Sequence, residues 1–246
     1  MPSIPPDPES GAPEDAIYGE VRKAIGDQKL PPGTRLREDE MRTIFGVSRD
    51  RMRKVFARLA HDGLVTIEPN KGASVARPTV REARELFAAR RGVEAAIIGL
   101  VAPRFTPADR RLLAAHVNRE LAADKARDHA EMVRLSGEFH LVLAGLARNA
   151  MLAKFLDELI TRESLVIQTY EKPGSPSCSG HEHLGIVEAL GRRDAEAASR
   201  LMAEHLANVE ARLDLDDTPP APPDLSDVFG AKGKARAGRG RPRSGG

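Results

Sequence analysis

A single cysteine, Cys178, and no tryptophan occur among the 246 residues. One thiol excludes an intrachain disulfide framework. No apolar run approaches the roughly 18 residues that a membrane-spanning helix needs, so no membrane partner is expected. The stretch Pro2 to Glu14 carries neither the basic n-region nor the apolar h-region of a secretory leader, and the cytoplasm is the expected compartment. No internal repeat is present. Nor is there an HExxH pair, a phosphate-binding glycine loop or a nucleophile elbow, so the common hydrolase and nucleotide-binding signatures are missing.

Charge is nearly balanced but unevenly placed. Gly230 to Gly246 holds Lys232, Lys234, Arg236, Arg239, Arg241 and Arg243 and no acid; without these six the net charge falls from +2 to about −4. Composition divides the chain into four parts. Residues 1–13 are proline-rich with few large apolar side chains and read as disordered. Residues 14–78 read as a small mixed domain and 79–213 as helices joined by short loops. Residues 214–246 read as disordered again, first Pro-rich and then Gly- and Arg-rich.

In the small domain, Ile17, Val21, Ala24 and Ile25 form one apolar stripe, which predicts a helix from about Glu14 to Gln28 that ends at Pro31-Pro32-Gly33. A short helix over about Asp39–Phe45 follows. After the Gly46-Val47 turn, Ser48 is placed to cap a third helix that runs to about His61, with Gly63 beyond its end. Leu64–Ile67 and Ala73–Ala76 read as two strands around the turn Pro69-Asn70-Lys71-Gly72. Three helices and a β-hairpin are the plan of a winged helix-turn-helix.

The third helix carries Arg49, Arg51, Arg53, Lys54 and Arg58. Long donors on an outward helix face suit the major groove of DNA, and Arg49 and Arg53, four apart, share a face. Arg51 and Lys54 lie on a neighbouring face, suited to phosphates. Taken alone, a solvated basic face explains the helix equally well; the helix-turn-helix before it and Lys71-Gly72 after it favour DNA.

The run PPGTRLREDEMRTIFGVSRDRMRKVFARLAHDGLVTIEPNKGASVA resembles the DNA-binding domain of the GntR family over residues 16–77. The resemblance implies that Arg37, Arg49 and Arg53 contact DNA and that Gly72 lets the wing approach the minor groove. Ser48, Arg51, Lys54 and Lys71 complete the expected contact set. The chain departs from the family at Asp50-Arg51 and at Lys54-Val55-Phe56, which bears on the operator sequence rather than on DNA binding.

From Thr79 onward six helices are predicted, at about 79–101, 107–124, 128–146, 149–172, 180–191 and 194–213, with Pro107 in a first turn and Asn149 and Asp194 as caps. The fold class is therefore mainly α: a winged helix-turn-helix followed by an antiparallel bundle. Within the bundle His140, His183 and His205 each lie on or beside an apolar stripe. Three imidazoles converging from separate helices would suit a divalent transition metal such as Zn, Ni or Mn. Singly, each is as readily a hydrogen-bonded core histidine. His181 points about 200° away from His183 on a helix and ranks below it.

The segments ARRGVEAA (89–96), SGEFH (136–140), EHLGIVEALGRRDAEAA (182–198) and LMAEHL (201–206) resemble the FCD ligand-binding domain of the FadR branch of that family, and the count of six helices is that of its VanR-like subgroup. The resemblance implies a metal held by an Asp and three His, its coordination often completed by a small carboxylate effector. The histidines match His140, His183 and His205, but Ser136 stands where the Asp would be, a poorer ligand than a carboxylate. Arg91 resembles a first-helix arginine and is expected to clamp an anionic effector. Arg239-Gly240-Arg241-Pro242-Arg243 resembles an AT-hook core, which inserts arginines into a narrow minor groove.

These readings point to a homodimeric, effector-responsive transcription regulator, of the repressor kind usual in the family, that binds a near-palindromic operator as double-stranded DNA. Two alternatives stay open on the sequence. One is a metal-dependent enzyme that uses the three histidines with Glu182 or Glu138 as base; the other is a ligand-independent DNA-binding protein.

Overall fold

The computed structural model describes residues 12–69, 71–172 and 179–215. Helix α1 (Glu14–Gly26) buries Ile17, Val21, Ala24 and Ile25 and carries Glu14 and Asp15 in its first turn, where acids complement the helix dipole. Helix α2 (Glu38–Phe45) ends at Gly46 in the left-handed region, and α3 (Arg49–His61) starts where the Ser48 side chain accepts the Arg51 N–H at 3.3 Å. Met52, Val55, Phe56 and Leu59 turn inward from α3.

Strands β2 (Val65–Glu68) and β3 (Gly72–Val75) pair antiparallel as expected. The sheet has a third member, β1 (Arg35–Leu36), which pairs with β3 to give the order β1-β3-β2. Two residues are too short to show a strand periodicity, so the sequence pattern revealed only the hairpin. The approach to β1 depends on Gly33, which adopts φ 82°, the left-handed region that favours glycine, with the Arg77 side chain close by. Its N–H donates to Val75 O at 2.8 Å.

Six further helices follow: α4 (Val80–Val101), α5 (Pro107–Ala126), α6 (His129–Leu146), α7 (Ala150–Tyr170), α8 (Ser179–Gly191) and α9 (Ala195–Ala211). Their starts are chemically marked. Thr79 with Glu82 and Thr106 with Asp109 form capping boxes, Pro107 occupies the first turn, and the side chains of Asp128, Asn149 and Asp194 each accept a backbone N–H. The bundle core is built around Ile97, Ile98, Phe139, Leu143, Val187 and Leu206.

The N-terminal domain has its own core, and that core includes one residue from the bundle. Leu165 of α7 is buried among Ile17, Val21, Met52 and Leu59 and their neighbours. Polar contacts reinforce the junction. Arg22 pairs with Asp157 at 2.7 Å, Arg162 Nε donates to Asp62 O at 2.9 Å, and Gln168 Nε2 donates to Ile25 O at 3.0 Å. Helix α7 thus belongs to the bundle by sequence and packs as part of both cores.

Candidate DNA interface and histidine cluster

The outer face of α3 presents the expected cations. The side chains of Arg49, Arg53 and Lys54 are each more than half exposed. Each is held by an acid from an earlier helix. Arg49 Nε meets Glu38 Oε1 at 2.8 Å and Arg49 Nη2 meets Asp39 Oδ1 at 3.1 Å. Arg53 Nε donates to Glu38 Oε2 at 3.0 Å, and Lys54 Nζ lies 3.5 Å from Glu14. Arg49 and Arg42 hold the Asp39 carboxyl below the usual carboxylate range. Arg51 is half-buried, its backbone engaged by Ser48. Exposed Arg37, with Arg53, Lys71 and Gly72, lines a groove of about 930 Å³ between α2, α3 and the wing. Lys71 pairs with Glu68 at 2.6 Å, and Gly72 takes φ 85°, which favours glycine. Arg239, Arg241 and Arg243 lie outside the described residues.

His140 on α6, His183 on α8 and His205 on α9 come together in the bundle, each at most 1% exposed. Their ligating atoms all lie within 4.8 Å of one another. Every ring is oriented from behind by a glutamate: His140 Nδ1 by Glu94 at 2.5 Å, His183 Nδ1 by Glu120 at 2.7 Å and His205 Nδ1 by Glu182 at 2.7 Å. With Nδ1 engaged in each case, Nε2 is the atom left to ligate, and His183 Nε2 stands 3.2 Å from His205 Nε2. Phe139 stacks flat on His183 with ring centroids 3.9 Å apart and 9° between planes, which fixes the ring. Burial holds His140 and His183 well below the ordinary histidine pKa, so both rings are neutral, the ligating form. Burial pushes Glu120 up to about 8.

The donor set fits a divalent transition metal. Carboxylates on the rear nitrogens of ligating histidines are the usual means of fixing tautomer and direction. If both Nδ1 atoms donate to their glutamates, two Nε2 lone pairs face each other across 3.2 Å, an arrangement that asks for a cation or a proton between them.

The cluster opens on a cavity of about 420 Å³, lined in part by His140, His205, Ser136, Arg90 and Glu163. Ser136 therefore keeps company with the histidines. Arg91 does not: it turns to α9, where Nη1 meets Glu210 at 2.8 Å, and it is absent from the cavity wall. The arginine that lines the cavity is its neighbour Arg90, 1% exposed and clamped between Glu94 and Glu163. A step of one residue rotates a side chain by about 100°, and Arg90, not Arg91, continues the buried stripe of Ala83, Leu86 and Phe87. His181 is exposed and stands apart from the cluster.

Glu94, Glu120 and Glu182 are site residues beyond those expected from the sequence. Their signal is there: Glu94 interrupts the stripe of Phe87, Ile97 and Ile98, and Glu120 that of Leu113 and Val117. A carboxylate on a buried stripe needs a partner. The bases imagined for an enzyme are engaged: Glu182 holds His205 and Asn208, and Glu138 pairs with Arg134 at 3.0 Å.

Residues 13–75 match the family described as bacterial regulatory proteins, gntR family, and residues 85–208 match the FCD domain. The HTH-type transcriptional repressor RspR of Escherichia coli K12 is 27% identical over 194 residues, covering 78% of this chain and 85% of that protein. The HTH-type transcriptional repressor NanR of Citrobacter rodentium is 29% identical over 214 residues, with 77% of this chain and 79% of that protein covered. Among solved structures, a putative GntR transcriptional regulator from Rhodococcus sp. RHA1 superposes with a TM-score of 0.70 at 28% identity, over 80% of this chain and 95% of that one. Escherichia coli McbR/YncC, at 17% identity, shares the fold with a TM-score of 0.69. The matched families and relatives are transcription regulators, and no enzyme reading is needed for the histidines. This chain, with a helix-turn-helix domain ahead of an FCD domain, belongs to the gntR family of DNA-binding transcription regulators.

Proposed function

We propose that the protein is a cytoplasmic, homodimeric repressor whose grip on a near-palindromic operator is set by a small carboxylate effector bound beside a divalent metal in the helical bundle. Arg49 and Arg53 read base edges in this account. Arg37, Ser48, Arg51, Lys54 and Lys71 hold phosphates, and Gly72 brings the wing backbone close to the minor groove. The basic tail with Arg239, Arg241 and Arg243 adds salt-dependent affinity. A dimer places two recognition helices in successive major grooves. The repressor sign rests on the relatives named as repressors.

The observation that carries the metal reading is the set of three buried histidines, each with Nδ1 on a glutamate, whose ligating atoms lie within 4.8 Å of one another. His140, His183 and His205 would hold Zn, Ni or Mn, and the ion would supply an electrophilic centre for a carboxylate. Ser136 contributes no charge, so the histidines and the effector carry the coordination.

The test is elemental mass spectrometry of the purified, untagged protein beside His183→Ala. The expected result is near-stoichiometric Zn, Ni or Mn in the parent protein and its loss in the variant. No metal in either, even after supplementation, would overturn the metal reading and leave the three histidines as a proton-sharing cluster that binds an effector without an ion.

A further inference from the structure

The connections between α4 and α5, α6 and α7, and α8 and α9 are short, so each pair returns antiparallel and the three turns gather at one end of the bundle. The chain enters at the opposite end, at Thr79, and the 22 residues of α4 put about 33 Å between the two ends. The far end is crowded with arginines. Arg104 follows α4, Arg110 and Arg111 lie near the start of α5, Arg148 follows α6, and Arg192 and Arg193 follow α8. All are exposed. They form one patch. Arg110 lies across Gly191, beside Arg192 and Arg193. Arg148 and Arg104 stand close enough to Asp109 to assist the Thr106 hydroxyl in holding its carboxyl below the usual range.

Part of this charge has a structural use. Cations suit helix C-terminal ends, and Arg104 donates to the carbonyls of Leu146 and Ala147. That use does not cover Arg110 and Arg111, which sit near a helix start, where a cation opposes the dipole. Nor does it account for Arg148 and Arg193, which take φ 51° and 56°, the left-handed region that favours glycine. The side chains of Arg110, Arg111, Arg148, Arg192 and Arg193 make no ion pair among the described residues, whereas Arg49, Arg53 and Lys54 of α3 are each held by an acid. The aspartates on these turns, Asp109 and Asp194, are taken by helix caps.

Like charges held together without acids repel, and a polyanion relieves them. Guanidinium forks pair bidentately with phosphates. Neither cavity described above reaches the patch, which suits an extended polyanion rather than a small anion. Over 102–111, 145–150 and 191–196 the exposed residues are proline, threonine, alanine, glycine and charged side chains. These turns offer no large apolar residue for the core of a protein interface, and interfaces with DNA are polar and positively charged. We propose that this end of the bundle is a second DNA-binding surface. It grips the sugar–phosphate backbone of another duplex segment without reading its sequence, so that the protein joins the site held by α3 to a separate stretch of DNA.

The test is co-capture by the full-length protein. The protein is loaded on a bead-borne duplex, and capture of a second, fluorescent duplex of mixed sequence is read across a salt series. Arg148→Gly combined with Arg193→Gly removes charge and places glycine where the backbone favours it, so the melting temperature should not fall. Loading of this variant on the bead-borne duplex should match the parent within about twofold, while capture of the second duplex drops about tenfold. The log–log salt slope of that capture should become shallower by about two, roughly 0.9 for each lost phosphate contact. Arg111→Gln, exposed within α5, should act in the same direction by about one contact. Three results would each overturn the proposal. The parent captures no second duplex; the variants capture it as well as the parent, which would assign bridging to α3 or the basic tail; or polyglutamate displaces it as readily as unlabelled duplex of equal charge, which would assign the surface to an acidic protein.

Discussion

Glu38 occupies a pivotal place in the DNA-binding domain. Its two oxygens hold Arg49 and Arg53, the arginines that read base edges in the proposed contact set. Phosphates or base edges must displace this carboxylate, so the free protein carries a built-in competitor for its own recognition residues. Exposed ion pairs of this kind contribute little in solvent and exchange readily for other partners. Glu38→Gln is therefore expected to raise affinity for DNA by roughly two- to fivefold at low salt, with the gain shrinking as salt screens the pair. Fluorescence anisotropy at two ionic strengths checks it; an unchanged or weakened affinity at low salt would show that Glu38 positions the arginines instead. The glutamates behind the histidines act in the opposite way, fixing rings that would otherwise turn. The convergence of the three imidazoles was legible in the sequence, because each sits on or beside an apolar stripe. The resemblance points to Arg91, but Arg90 continues the stripe of Leu86 and Phe87 and is drawn inward by Glu94 on its own helix and Glu163 on α7.

At the scale of elements, the bundle was readable because its helix starts are written in chemistry: Thr79 with Glu82, Thr106 with Pro107 and Asp109, then Asn149 and Asp194. Strand β1 escaped because pairing with β3, not any local pattern, makes Arg35–Leu36 extended. The double role of α7 escaped for a similar reason. Leu165 is one more apolar residue on a long helix, and its neighbours in the N-terminal core lie far away in sequence. Removing it should matter to both domains. Leu165→Ala is expected to cost about 2–5 kcal/mol, the range for a buried leucine truncation. It should also separate melting of the N-terminal domain from that of the bundle. Differential scanning calorimetry reads both effects; an unshifted single transition would mean that α7 does not couple the two units.

At the scale of the whole molecule, two surfaces with different chemistry are joined by α7. One is the basic face of α3 with the wing; the other is a cavity lined by His140 and His205 of the histidine cluster. The junction between them consists of Leu165, Arg22 with Asp157, Arg162 on the Asp62 carbonyl and Gln168 on the Ile25 carbonyl. This arrangement lets a binding event in the bundle be felt at the recognition helix, because the cavity wall and the junction use the same helix. The account stands first on sequence-specific binding through α3. The most direct test is selection of duplexes by the full-length protein from a random DNA pool, followed by affinity measurement on the enriched sequence. The account predicts an inverted repeat with half-sites about one helical turn, roughly 10 base pairs, apart. It also predicts a loss of about 1–3 kcal/mol on that sequence for Arg53→Ala. A pool that yields no enriched motif, or a motif that Arg53→Ala binds as tightly as the parent, would contradict it.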